Sequence, residues 1–311
     1  MNYKVFKLQF NTGVHIGNGK LTDSESAIMA DTIFSALCQE AAALYGEDGI
    51  RRLASYVEAD QLRLSDAMPV HGEEYYIPRP MMRIDSGQTG DSRQKKAFKK
   101  LDYIRAGSLK AYLDGALDAN RELEILRQMG SDRIQTMACI DEGKTAVPYP
   151  VGVFYFGKGW GLYIILAYTD DDVLRFAEEL MESLKWSGIG GKRSAGLGKF
   201  SLYPGRLPDS FLSGLKTRAE AGQYMTLSVS MAAEDELKEA VASAQYSVIR
   251  RSGFVASAEY ADTLVRKKDF YMFRAGATFG KTFGGVLQDV SSGGNHPVYR
   301  YGKPLFLEVG K

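Results

Sequence analysis

The sequence is poor in the residues that build metal centres and covalent staples. Among 311 residues there are only two cysteines, Cys38 and Cys139, and three histidines, His15, His71 and His296. Cysteines this few and this far apart exclude a zinc cluster or a disulfide framework. No pair of His, Cys or carboxylate residues has a ligand spacing, so no metal and no cofactor is expected. An excess of charge of one sign is also missing: 39 basic and 38 acidic residues leave a net charge of +1. The chain is therefore no polycation, and any nucleic-acid surface must be local, with the acids segregated elsewhere. A long apolar run is absent too. That excludes a membrane span and a signal peptide and predicts a reduced, cytoplasmic setting. With 45% hydrophobic residues, the chain can still bury a substantial core as one large or two ordinary domains.

What is plentiful is glycine, concentrated where it does something. In Trp186–Phe200, Gly188-Ile189-Gly190 and Gly196-Leu197-Gly198 form two Gly-apolar-Gly triplets around a small, basic insert of Gly191, Lys192, Arg193, Ser194 and Ala195. Glycines tolerate positive φ and let another backbone come close. Exposed N–H groups beside two cations can form an anion-binding nest, so a phosphate is the natural guest. The usual phosphate loops fail here. A dinucleotide fingerprint needs glycine where Arg193 stands, and a Walker loop needs Ser or Thr where Phe200 follows Gly198-Lys199. The flanks disagree as well. Val173, Leu174, Ala177, Leu180, Met181 and Leu184 recur at helical spacing behind an Asp170 cap, whereas Lys199–Tyr203 alternates like a strand. A loop from helix to strand suits a ferredoxin-like unit.

The remaining chain reads as strand, loop and helix in turn. Tyr3–Asn11 is a strand, followed by a glycine loop containing His15. A helix capped by Asp31 ends at Gly46, and a short helix near Ile50–Val57 precedes a strand at Leu62–Asp66. Asp85–Asp91 is polar and expected to be exposed or disordered. Arg93–Lys100 is the densest basic run, either a solvated helix face or a phosphate-contacting patch. Val151–Phe156 and Trp160–Leu166 are apolar strands joined by Gly157-Lys158-Gly159, a hairpin signal. Pro204, Gly205, Pro208 and Gly214 mark a boundary, giving domains 1–204 and 205–311. Beyond it come strands at Tyr224–Ser230, Tyr246–Arg251 and Lys267–Arg274, then a second glycine loop, Gly276–Gly285. This loop contains Gly280-Lys281-Thr282 but breaks the Walker register.

The Gly188–Gly198 motif resembles the glycine-rich loop of the RAMP superfamily, the RNA-binding subunits of CRISPR ribonucleoproteins: Gly-apolar-Gly, five residues, Gly-apolar-Gly. Val14–Gly17 with Asp31–Cys38, then Ser65–Pro69 and Ile77–Pro80, are similar to the family's earlier blocks. His296–Leu307 resembles the ending typical of one member of type III-A effector complexes. The resemblance spans nearly the whole chain and implies an α+β fold of tandem ferredoxin-like (RRM-like) domains. It also implies a protruding β-hairpin, the thumb, within 121–148, with Met137 and Ile140 as wedge residues at or near its tip. The implied role is non-catalytic: holding the repeat-derived 5′ tag of a guide RNA (crRNA), capping the backbone filament beside a neighbouring RAMP subunit and docking the large polymerase-cyclase subunit. Contact with target RNA would be indirect.

Single-stranded RNA is held by cations on phosphates and by base stacking. The expected contacts are Gly188, Gly190, Gly191, Lys192, Arg193, Ser194, Gly196, Gly198 and His15 in the first half. Arg250, Arg251, Arg274, Phe279 and Lys281 follow in the second, all lining one face. The alternative is a metal-independent endoribonuclease that processes repeat RNA with His15 as general acid or base.

Overall fold

The computed structural model describes residues 1–17, 19–84, 92–139, 145–217, 222–257 and 259–310. The chain forms β1 (Asn2–Phe10), a long α1 (Ala30–Glu58), β2 (Leu62–Leu64), β3 (Met68–His71), β4 (Glu74–Pro78), α2 (Ser92–Lys100) and β5 (Tyr103–Arg105). Short helices α3 (Leu109–Leu113) and α4 (Ala119–Leu126) lead into β6 (Gly130–Cys139) and β7 (Val147–Phe156). Then come β8 (Trp160–Tyr168), α5 (Asp171–Ser187) and β9 (Phe200–Gly205).

Strands are ordered β5-β4-β3-β8-β1-β9, with β2 also pairing with β8, and every pairing is antiparallel. The core of this order, β9-β1-β8 with β2 and β3 beyond, is the ferredoxin-like sheet. Its helices are α1 and α5, whose Phe34, Leu37, Phe176, Leu180 and Leu184 pack on Phe6, Leu8, Leu162, Ile164 and Leu166.

Sequence explains the central strand. β8 reads as a continuous apolar run because both its faces are covered. Leu162, Ile164 and Leu166 meet the helices, while Tyr163, Ile165 and Ala167 join a second core on the opposite face. That second core contains Met225, Leu227, Leu305, Leu307 and Val309 from the C-terminal half. The sheet face that an RRM would offer to bases is therefore buried here under protein.

The C-terminal half is a reduced ferredoxin-like unit. It comprises α6 (Asp209–Lys216), β10 (Gln223–Thr226), α7 (Glu234–Ala240), β11 (Val248–Arg251), β12 (Phe270–Phe273) and β13 (Thr278–Phe279). It ends with β14 (Val286–Asp289), β15 (Tyr299–Gly302) and β16 (Phe306–Gly310). β13, β10 and β16 make a three-stranded sheet, while β11–β12 and β14–β15 are separate ribbons. Among the described residues, no helix is long and apolar enough to cross a membrane. The whole is α+β, two ferredoxin-like units in tandem with a projecting hairpin.

Three local expectations change. Asp31 does not cap α1: Met29 is the N-cap, and the Asp31 side chain is drawn to Arg251 and Arg300 instead. Gly46 breaks the helix geometry at φ 65° without ending the helix, so the two expected helices merge across a kink. Val151–Phe156 does not pair with Trp160–Leu166. β7 pairs with β6 from Gly130↔Phe156 to Cys139↔Val147, and β8 takes β1, β2 and β3 as partners. The hairpin strands are thus Gly130–Cys139 and Val147–Phe156, C-terminal to the start of the expected 121–148, since residues 121–126 lie in α4. Residues 85–91 lie outside the described residues, as does Ile140.

Candidate nucleic-acid interface

The glycine loop is built by the elements on either side of it. α5 starts at Asp170, whose carboxylate accepts from the N–H groups of Asp172 and Val173, and it stops at Gly188, φ 79°. The two triplets then lie against each other. Ile189 N–H donates to the Gly198 carbonyl at 3.0 Å, and a side chain on Gly198 would collide with the Ile189 carbonyl. Each central apolar residue is an anchor: Ile189 is buried in the main core, and Leu197 in a small cluster with Val151 and Val153 of β7. This gives the Gly-apolar-Gly pattern a packing cause.

Beneath the loop runs the segment after β1. Gly198 N–H donates to the Gly13 carbonyl at 2.9 Å and Gly191 N–H to the His15 carbonyl at 2.8 Å. Val14 exchanges backbone bonds with Phe154, and Gly152 N–H donates to the Leu21 carbonyl. The loop, the His15 segment and the hairpin are therefore one assembly. His15 is only 6% exposed, and its Nδ1 lies 2.7 Å from the Gly152 carbonyl, so Nδ1 is the protonated donor. A side chain on Gly191 would strike the imidazole. His15 thus supports the loop from below; the expected direct RNA contact by its ring is corrected by this burial.

The tip differs from the arms. Lys192 is in the left-handed region, φ 59° and ψ 28°, and is followed by a turn of 3-10 helix over Arg193–Ala195. The main-chain N–H groups of Lys192, Arg193 and Ser194 have no acceptor among the described residues. Successive free N–H groups in this αL-then-helical arrangement form a nest that receives an anion. A lysine held at positive φ is strained by about 1–3 kcal/mol, as residues at ligand clamps often are. Its ammonium lies 3.0 Å from Tyr149 Oη and 4.5 Å above that ring's centre. The Arg193 guanidinium reaches back to Gln39 and the Gly188 carbonyl, with buried Glu40 at 4.0 Å. Ser183 and Ser187 also donate to Glu40, tying α5 to α1 at the loop's root. Both cations are half-buried and positioned. Gln39, Glu40 and Tyr149 were not legible in the sequence, because nothing local marks them.

On the hairpin, the exposed apolar side chains are not those expected from the sequence. Met137 is half-buried against Val151, Val153 and Leu197, so it is packing, whereas Ile134 and Val147 stand 69% and 62% exposed.

The second half does not complete a shared groove. Phe279 is wholly buried among Phe273, Phe283 and Phe306, so it cannot stack on a base. The N–H groups of Gly284 and Gly285 already bind a carboxylate, that of Glu236, at 2.7 and 3.2 Å. Lys281 pairs with Glu239. Arg251 makes a two-pronged bond to buried Asp31, both distances 2.9 Å, and Arg300 bonds the same carboxylate at 2.6 Å. Burial alone would raise the Asp31 carboxyl, but the two guanidiniums outweigh it and hold the group below its ordinary 3.8. Arg251 is therefore structural. Arg250 is exposed beside Asp269, and Arg274 is exposed on a loop docked at the other edge of the main sheet, where Gly276 meets Met81. Of the two glycine turns, the first leaves tip N–H groups without an acceptor among the described residues, whereas those of Gly284 and Gly285 are taken by Glu236.

Comparison with known proteins agrees with this architecture. The RAMP superfamily model matches residues 7–201, and the CRISPR Csm4 C-terminal domain model matches residues 219–309. The "CRISPR system Cms protein Csm4" of Mycobacterium tuberculosis (strain ATCC 25618 / H37Rv) is 38% identical over 310 residues, covering 99% of this chain and 98% of that one. That of Streptococcus thermophilus is 32% identical over 317 residues, 99% of both. Among solved structures, a Csm3–Csm4 subcomplex in the type III-A CRISPR-Cas interference complex aligns with TM-score 0.68 at 19% identity, covering 98% of each chain. A Csm1–Csm4 cassette in complex with pppApA aligns with TM-score 0.61 at 15% identity, covering 98% and 97%. With those matches spanning both halves, the chain belongs to the RAMP superfamily and, within it, to the Csm4 family of CRISPR proteins.

Proposed function

We propose that this chain is the non-catalytic subunit of a type III-A Csm complex that holds the 5′ tag of crRNA on the Lys192–Ser194 nest. In this reading it caps the backbone filament next to a neighbouring RAMP subunit and docks the large polymerase-cyclase subunit; target RNA is met only indirectly. The observation that carries the reading is the row of three free N–H groups at the strained tip, with two positioned cations alongside. The buried sheet face supports it further, since it leaves loops as the place for RNA. Partner docking is supported by the Csm3–Csm4 and Csm1–Csm4 assemblies of the structural relatives. The apolar patch around a cavity of about 250 Å³ lined by Tyr246, Val248 and Tyr271 points the same way. Exposed clusters of that kind mark interfaces more often than plain solvent surface.

The non-cutting reading is supported by the fate of the histidines. His15 is buried on a carbonyl, His71 stacks on Trp160 at 4.8 Å, and His296 bonds Pro297 and Ser257. Among the described residues, none is paired with a second acid or base that could share a proton transfer.

Lys192→Ala with Arg193→Ala tests the clamp. The expected result is weaker crRNA retention in the reconstituted particle and a salt slope reduced by about 0.7 per lost phosphate contact. Unchanged retention and tag protection would remove the loop from the mechanism. Incubating the purified chain with repeat RNA tests the other half of the reading, where specific cleavage abolished by His15→Ala would establish the ribonuclease instead.

A further inference from the structure

We propose that α2 is a second nucleic-acid contact, a lysine-rich track for the backbone of single-stranded RNA, separate from the glycine loop. The helix is fixed from below. Ala97 and Leu101 are buried, Phe98 packs on Tyr112 with ring centres 6.3 Å apart, and Arg79 Nε donates to the Leu101 carbonyl at 2.8 Å. Gln94 locks the helix to the start of α4, donating to Asp118 and accepting from Ala119 N–H, both at 3.1 Å.

This anchoring turns Lys95, Lys96, Lys99 and Lys100 outward, and all four are exposed. Among the described residues no carboxylate pairs with any of them. α1 and α5, by contrast, match cations within the helix, as Arg51 does with Glu47 and Lys185 with Glu182. Lys95 with Lys99, and Lys96 with Lys100, are like charges one turn apart. Each such pair modestly destabilises a helix. A bound polyanion relieves that repulsion and releases its own counterions.

The placement separates this surface from the loop. α2 feeds β5, the edge strand opposite β9, five strand spacings or about 24 Å away. The same edge receives the loop of Arg274, through Met81 N–H to the Gly276 carbonyl at 2.7 Å, and it carries exposed Arg83. Arg274, placed by sequence with the glycine loop, belongs with this surface.

The residue types select the partner. Lysine offers a hydrated point charge on a flexible stem, suited to following phosphates without fixed geometry. A protein interface needs a desolvated apolar centre, and α2 has its apolar residues turned inward. With no exposed aromatic on the helix, the contact reads charge and not sequence.

The inference extends the RNA-holding reading but uses other residues, so one titration separates them. The full-length chain is titrated with a labelled oligouridylate over a range of salt. Three variants are compared: all four lysines replaced by Gln, all four by Arg, and the Lys192→Ala, Arg193→Ala pair. The Gln variant should keep its helical circular dichroism, bind roughly tenfold or more weakly at low salt, and lose about 2–3 from the log–log salt slope. The Arg variant should bind like the parent. A Gln variant with parental affinity and slope overturns the proposal, and if only the loop variant then loses binding, the loop reading stands alone. Loss in the Gln variant alone upholds the track and sinks the loop. If neither variant loses binding, both fail. A Gln variant that keeps RNA but no longer binds polyglutamate assigns the helix to an acidic protein and also overturns the proposal.

Discussion

Gly196 and Gly198 share a positive φ, 86° and 77°, yet meet opposite surroundings. A methyl on Gly196 points into open space, so Gly196→Ala costs only the left-handed strain, about 1–2 kcal/mol. A methyl on Gly198 strikes the Ile189 carbonyl, and backbone must move. Thermal denaturation should therefore show a clearly larger fall for Gly198→Ala than for Gly196→Ala; equal falls would mean that the arms are not held against each other. Asp66 supplies a second single-residue case. Its Oδ1 accepts from Ala30 and Val229 N–H at 2.7 and 2.9 Å, joining the two halves. Burial pushes its carboxyl up to about 7, against those two hydrogen bonds. A raised folded value means that the fold favours the protonated form. That contribution is complete below the ordinary 3.8 and is lost as pH rises through about 7. Asp31, held below 3.8, has the opposite sign: its contribution is present above that value and is lost as pH falls below it. Asp66→Asn keeps an acceptor and removes the titration. Its melting temperature should vary less than the parent's between about pH 4 and 7.

At the scale of elements, the β6–β7 hairpin is rooted at its base, where Phe154 and Phe156 join the main core, and most of β6 beyond that base is exposed. Its inner face rests on Leu197 through Val151 and Val153, and its base on the Val14–Phe154 pairing. Leu197→Ala should loosen the hairpin without unfolding the molecule. Hydrogen exchange would then speed up in 130–139 and 147–156 while β1 and β8 keep their protection, because local opening is cheapest where buried contacts are few. Uniform loss of protection would show instead that hairpin and sheet unfold together. The Asp31–Arg251–Arg300 cluster is the converse, an element junction in which Asp31 and Arg300 are buried and Arg251 is half-buried. Asp31→Ala leaves two uncompensated guanidiniums and should cost about 3–5 kcal/mol, measured by denaturant unfolding.

At the scale of the molecule, the two ferredoxin-like units share a core. Leu227, Leu305 and Leu307 fill the face of the first unit's sheet beside Tyr163 and Ile165. Leu227→Ala should cost about 2–5 kcal/mol and shift one cooperative transition, with no separate melting of a C-terminal unit. Residues 1–204 expressed alone would expose that face and should aggregate. The same burial leaves the loops and α2, not this sheet face, as the surface available for the RNA contacts proposed above.

Short-range chemistry was decided by the amino-acid order itself. The alternation of β1, the amphipathic period and Asp170 cap of α5, and the spacing of glycines from Gly188 to Gly198 all act within a few residues, and the fold keeps each of them. Pairings across the chain were decided only in three dimensions. Arg251 finds Asp31 from 220 residues away, Phe279 enters an aromatic cluster, and β7 joins β6 in preference to β8. A cation or an aromatic ring carries the same local signal whether it faces RNA or the interior. Only the packing of distant strands and helices determines which side chains are left facing solvent, and so which of them can hold a ligand.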